Sequence, residues 1–164
     1  MAADPNSRTT AIGLARFAKE YLEAAILVDT QMGKRKSFGH IQSPPAVFLL
    51  AHGLELTLKA YLLHKEMTID VLEKRPFGHN LKRLRREAKT RGLDGLHPGS
   101  AAELRAVLIL DALNVRHQQR YIETGATVSL PWDDAEQYAV QLHQAVAKAL
   151  GAKTLMRQYP VKRG

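Results

Sequence analysis

Pro45 to Leu63, PAVFLLAHGLELTLKAYLL, is the stretch whose reading decides the fold. It is an almost wholly apolar run interrupted by His52, Glu55 and Lys59. Those three stand at i, i+3 and i+7, so on a helix they form a single polar stripe. Val47, Phe48, Leu49, Leu50, Leu54, Leu56, Leu58, Tyr61 and Leu62 cover most of the remaining circumference. That is the pattern of a helix enclosed by a bundle rather than laid on its surface. A buried carboxylate or ammonium is costly unless it is paired. The stripe therefore needs an internal partner, a partner subunit or a polar cavity.

Helical periodicity continues on both sides. Ser7 or Thr9 caps a first helix over residues 10–31, with Leu14, Phe17, Ala18, Tyr21, Leu22, Ala25 and Val28 on its apolar face. Gly33 to Ser43 reads as a loop, and Pro44-Pro45 open the central helix where a missing N–H does no harm. That helix ends near Glu66, and Thr68 to Phe77 is a short helical turn stopped by Arg75-Pro76. Asn80 or His79 caps a third helix, whose buried edge is Leu81, Leu84 and Ala88. Lys82, Arg83, Arg85, Arg86, Lys89 and Arg91 cover the rest of it.

After a Gly- and Pro-containing loop, Ser100 caps a fourth helix over about 101–121, carrying Leu104, Val107, Leu108, Leu110, Leu113 and Val115. Its end is polar: Asn114, Arg116, His117, Gln118, Gln119, Arg120 and Tyr121. A fifth helix opens at Pro131-Trp132-Asp133-Asp134, with proline and acids where a helix N-terminus favours them, and runs to about Leu150. Trp132 reads as core or helix-entry packing rather than a platform for stacking bases. No β-alternation persists, so the expected fold is an all-α, up-and-down bundle of five helices. Residues 1–9 form a flexible N-terminus, 10–150 the single domain, and 151–164 a basic, partly disordered tail.

The chain has 164 residues, enough for one domain with a real core, and its hydrophobic fraction of 45% is that of a globular protein. It has no cysteine, which excludes disulfides, thiolate metal sites and a cysteine nucleophile. None of its seven histidines are paired at the spacing of a zinc-binding helix, and no metal or other cofactor is expected. The longest apolar run is too charged to span a bilayer, and residues 1–10 lack the apolar core of a secretory signal. A soluble cytoplasmic protein with no membrane partner is the expectation. Net charge is +8 and unevenly spread. Residues 65–92 carry nine Lys/Arg against four Asp/Glu, residues 148–164 five against none, and residues 93–147 three against seven. A basic zone beside an acidic one suggests an anionic partner such as RNA, with a solvated surface as the alternative.

Three short motifs stand in a telling order: LELTLKA (Leu54 to Ala60), FGHNLKRL (Phe77 to Leu84) and Arg120-Tyr121. Together they resemble the HEPN superfamily of small α-helical bacterial and archaeal domains, over roughly residues 10–150. The resemblance implies a helical bundle that often dimerises. Many such domains are metal-independent ribonucleases of toxin–antitoxin or other defence systems, and others are binding or accessory modules. It further implies, for the nuclease branch, an Arg and a His separated by four to six residues near the start of a late helix. Here Arg116 and His117 are adjacent and Arg120 follows, so that spacing is missing where the family places it. Arg91 and His97 do satisfy it, but in a loop with two glycines.

These readings leave a short set of candidate residues. His52, Glu55, Lys59, His79, Asn114 and Tyr121 are the candidate polar core or binding residues. Glu55 and Lys59 form either a self-satisfied pair locking two helices or part of a catalytic group. His79 is either a first-turn residue or an imidazole held in one tautomer by Glu55. His117, with Arg116 and Arg120, is the candidate acid–base group for cleavage of RNA. Lys82, Arg83, Arg85, Arg86 and Lys89 are the candidate nucleic-acid contacts, reading phosphate rather than sequence. The function expected from this set is a dimeric HEPN-like binding or accessory domain that associates with RNA, a nucleotide or an antitoxin-like partner protein. A divergent ribonuclease is the alternative.

Overall fold

The computed structural model describes residues 8–32, 43–115 and 130–152. Among them there are only helices and connecting turns: α1 (Ala11–Met32), α2 (Pro44–His64), α3 (Ile69–Glu73), α4 (Leu81–Thr90), α5 (Ala101–Val115) and α6 (Trp132–Ala149), with a 3₁₀ turn at Leu93–Gly95. The fold is all-α, as the periodicity requires. The five long helices are those read from the sequence, and α3 lies in the segment read as a short helical turn.

Local chemistry sets the ends. The Thr10 hydroxyl, one position beyond the expected Thr9, accepts from the Gly13 amide at 3.0 Å and starts α1. Ser43 does the same for α2, accepting from Ala46 at 3.2 Å, and Pro44 and Pro45 occupy first-turn positions whose N–H groups have no intrahelical acceptor. Asn80 caps α4 by accepting from Arg83 at 2.8 Å. Ser100 and Glu103 exchange side-chain and backbone hydrogen bonds at 3.2 and 2.6 Å, a reciprocal capping box that opens α5. Asp133 and Asp134 lie in the first turn of α6, beside its positive end.

α2 is the centre of the molecule. It packs against α1, α4, α5 and α6, and Leu50, Leu54, Leu58 and Leu62 on it are completely buried. Its contact with α1 is close because both helices present small side chains. Ala15, Ala18 and Ala25 are buried on α1, and Gly53 on α2 sits so near that a Cβ there would lie 2.7 Å from the Leu22 side chain. This close approach corrects the expected apolar face of α1. Phe17 is 59% exposed, because Ala15, Ala18, Leu22, Ala25 and Ile26 occupy the seam instead. Leu108 on α5 is likewise exposed, whereas Val107 and Leu110 are buried. Trp132 is buried at the entry to α6 and donates to Glu136 at 2.6 Å.

Candidate functional site

Glu55 and Lys59 lie one turn apart on α2, and Lys59 Nζ donates to Glu55 Oε1 at 2.7 Å with both side chains buried. The pair belongs to one helix, so it does not by itself join two. The joining is done by His79. A tight turn leads from Lys74 to α4, closed by hydrogen bonds from the Phe77 and Gly78 amides to the Lys74 carbonyl, each 3.0 Å, and from Asn80 to Phe77 at 2.7 Å. Gly78 adopts φ +39°, a conformation that favours glycine. The turn brings His79 Nδ1 to 3.1 and 3.2 Å from the two carboxylate oxygens of Glu55.

An ionised carboxylate only accepts hydrogen bonds, so Nδ1 is the donor and carries the proton. In the neutral ring, Nε2 is then the acceptor. The His79 side chain is 61% exposed while that of Glu55 is 3% exposed. A buried carboxylate thus holds an exposed imidazole in one orientation. Asn114, near the end of α5, donates to the His79 backbone carbonyl at 2.9 Å, so α2, the α4 entry and α5 meet here. Buried Asp111 adds a second tie by accepting from the Lys82 amide at 3.1 Å. With Asp111 on Lys82 and Asn80 on Arg83, these two first-turn amides of α4 already have acceptors.

Four of the six expected polar residues are therefore brought together: Glu55, Lys59, His79 and Asn114. His52 is not among them. It turns toward α1, edge-on to Tyr21 with ring centroids 4.4 Å apart and parallel to Phe48 at 6.2 Å. Tyr121, Arg116, His117 and Arg120 lie outside the described residues.

Lys82, Arg83, Arg86 and Lys89 are exposed on α4. Lys82, Arg86 and Lys89 stand at i, i+4 and i+7, which places them in one row along the helix. Lys89 lies 3.5 Å from Asp94. No carboxylate pairs with Lys82, Arg83 or Arg86 among the described residues.

Arg85 corrects the expectation of a uniformly basic surface. It is buried, ion-paired with Asp94, and donates to the Tyr138 hydroxyl at 2.6 Å and the Pro98 carbonyl at 3.1 Å. It is an internal clamp between α4, α6 and the loop between α4 and α5, unable to reach a ligand. Burial pushes the Tyr138 phenol above its ordinary value, opposed by the Arg85 guanidinium beside it. Its position was legible: Leu81, Leu84, Arg85 and Ala88 follow the i, i+3, i+4, i+7 spacing of a buried stripe.

The pair Arg91 and His97 is divided between different neighbours. Arg91 donates to Glu87 at 2.7 Å and to the Lys65 carbonyl at 3.0 Å, while His97 packs on Tyr138 with ring centroids 5.4 Å apart. A buried polar contact not foreseen from the sequence is His143 on α6 against Thr57 on α2, at 3.4 Å. The same periodicity carried its signal, because Ala139, Leu142, His143 and Val146 share one buried face. The chain matches no protein-family model, no curated protein and no solved structure.

Proposed function

We propose that this chain is an RNA-binding helical module of the HEPN type, acting as a homodimeric binding or accessory domain in a toxin–antitoxin or defence setting. The observation that carries the reading is the exposed row Lys82, Arg86 and Lys89 on α4, joined by Arg83, in which Lys82, Arg83 and Arg86 lack a carboxylate partner among the described residues. Such cations follow a phosphate backbone and release its condensed counterions on binding, without reading base sequence. The order of the LELTLKA and FGHNLKRL motifs also supports it, since both contribute to the polar cluster at the start of α4.

The test is binding of single-stranded RNA across a salt series. Lys82→Glu with Arg86→Glu should lower affinity at least about ten-fold and flatten the dependence on salt. Absence of binding by the wild type at low salt would refute the reading. Dimerisation has one supporting observation, the outward-facing Ile12, Phe17 and Leu27 on α1. A monomeric mass by light scattering at micromolar concentration would count against it.

A second reading, a metal-independent ribonuclease using His117 with Arg116 and Arg120, is favoured by one observation. These residues follow within six positions of Asn114, the residue bonded to His79. RNA cleavage without added metal that disappears in His117→Ala would establish it.

A further inference from the structure

We propose that His79 is an RNA-selective contact: its Nε2 accepts a hydrogen bond from a ribose 2′-hydroxyl while the neighbouring cations of α4 hold phosphates. This deepens the RNA-binding reading and rests on it. The Glu55 charge is already balanced by Lys59 at 2.7 Å, so no second cation is needed to bury it. His79 nonetheless turns Nδ1 to both carboxylate oxygens, and it does so from a side chain that is largely outside the protein. An exposed imidazole otherwise rotates freely and alternates between tautomers. Here the carboxylate fixes both the ring and the proton, leaving in the neutral form an acceptor nitrogen with no protein partner among the described residues.

Cations and acceptors read different parts of a nucleic acid. Lys and Arg donate to phosphate, which RNA and DNA share. A fixed neutral acceptor instead repels phosphate oxygens and needs a donor. Along the sugar–phosphate backbone the 2′-hydroxyl is such a donor, and it is what distinguishes RNA from DNA at a given position. His79 directly precedes the Asn80 cap, and Lys82 and Arg83 stand in the first turn of the same helix. A strand that follows the basic row toward the start of α4 reaches the turn that carries His79, whose side chain is largely exposed. Immobilisation matters to the size of the effect, because a pre-oriented group loses little rotational freedom on binding.

The experiment is fluorescence anisotropy with the full chain and three short single-stranded oligonucleotides of one sequence: RNA, DNA and 2′-fluoro RNA, the last keeping an RNA-like sugar without the donor. The wild type should bind RNA about five-fold more tightly than either of the others, the size expected of one net hydrogen bond. His79→Ala should bring all three to the same affinity. Lys82→Glu with Arg86→Glu should weaken all three and leave their ratio intact. The exposed His79 ring can be truncated with its backbone bond to Asn114 kept, and the 2′-fluoro comparison on the wild type needs no variant at all. Equal affinity of the wild type for RNA and 2′-fluoro RNA, or a preference that survives His79→Ala, would overturn the assignment while leaving RNA binding standing. Failure to bind any of the three would overturn both.

Discussion

His143 makes the fold acid-sensitive by a calculable amount. Its side chain is enclosed between α6, α2 and α1, and the residue is 2% exposed. Thr57 donates its hydroxyl proton to the Gly53 carbonyl at 2.9 Å, so its oxygen can only accept from His143 Nδ1–H across their longer 3.4 Å contact. Burial pushes the imidazole pKa down from 6.5 to about 4, helped by the Lys19 ammonium and opposed by Glu23. The two α1 side chains are themselves paired at 3.1 Å, which limits the net field they exert.

The sign follows from proton counting. Between about pH 6.5 and pH 4 the unfolded chain binds a proton at this position and the folded chain does not, so stability falls as the solution is acidified. The contribution is fully present above pH 6.5 and lost by pH 4. At 1.36 kcal/mol per pH unit the total is about 3 kcal/mol, a sizeable share of the roughly 5–15 kcal/mol by which domains are stable. Carboxylates also titrate at the acid end, so the wild-type curve alone does not isolate the histidine. His143→Leu keeps an apolar side chain in the site and leaves the Thr57 hydroxyl bonded to Gly53. Urea denaturation at half-unit steps from pH 7.5 to pH 4 should give a wild-type curve that falls about 3 kcal/mol further than that of the variant. Parallel curves would refute the reasoning, because they would mean that the imidazole is protonated in place or that water reaches it.

Two further substitutions test the packing. Gly53→Ala sets a Cβ 2.7 Å from Leu22 and 3.2 Å from the Ala18 carbonyl, so it should destabilise the domain by about 1–3 kcal/mol despite alanine's better helix propensity, measured by urea denaturation at pH 7. A stabilised Gly53→Ala would show that α1 can move off α2. Arg85→Ala strips partners from the Tyr138 hydroxyl and the Pro98 carbonyl and leaves Asp94 with Lys89, and should cost about 2–4 kcal/mol, yet leave RNA affinity of the folded fraction unchanged. Loss of affinity in proportion to that of Lys82→Glu would return Arg85 to the binding surface.

The helices were legible from their apolar spacing, and α4 and α5 are written twice, once in that spacing and once in the cap. Asn80 and Ser100 lie where a hydrophobic period begins, and both cap the helices that follow. What periodicity could not supply was partner identity. Spacing places His52, Glu55 and Lys59 in one stripe, but the neighbours differ along it: His52 meets the aromatic rings of Tyr21 and Phe48, whereas Glu55 meets His79 from a turn 24 residues away. That turn depends on a backbone shape which no hydropathy pattern encodes. Phe17 and Arg85 show a second limit, that polarity alone does not fix a face, although the spacing of Leu81, Leu84, Arg85 and Ala88 does mark Arg85 as buried. Phe17 is apolar and faces out, because Ala15, Ala18, Leu22, Ala25 and Ile26 form the buried face of α1 and Phe17 lies off it. Arg85 is charged and faces in, because Asp94, Tyr138 and the Pro98 carbonyl converge on its five donors. In both cases the local geometry of the neighbour, rather than the polarity of the residue, decides which side of the helix is buried. Glu55 follows the same logic: the stripe's demand for a partner was readable, Lys59 on the same helix balances the buried charge, and His79, from outside that helix, adds a second donor that spacing alone did not reveal.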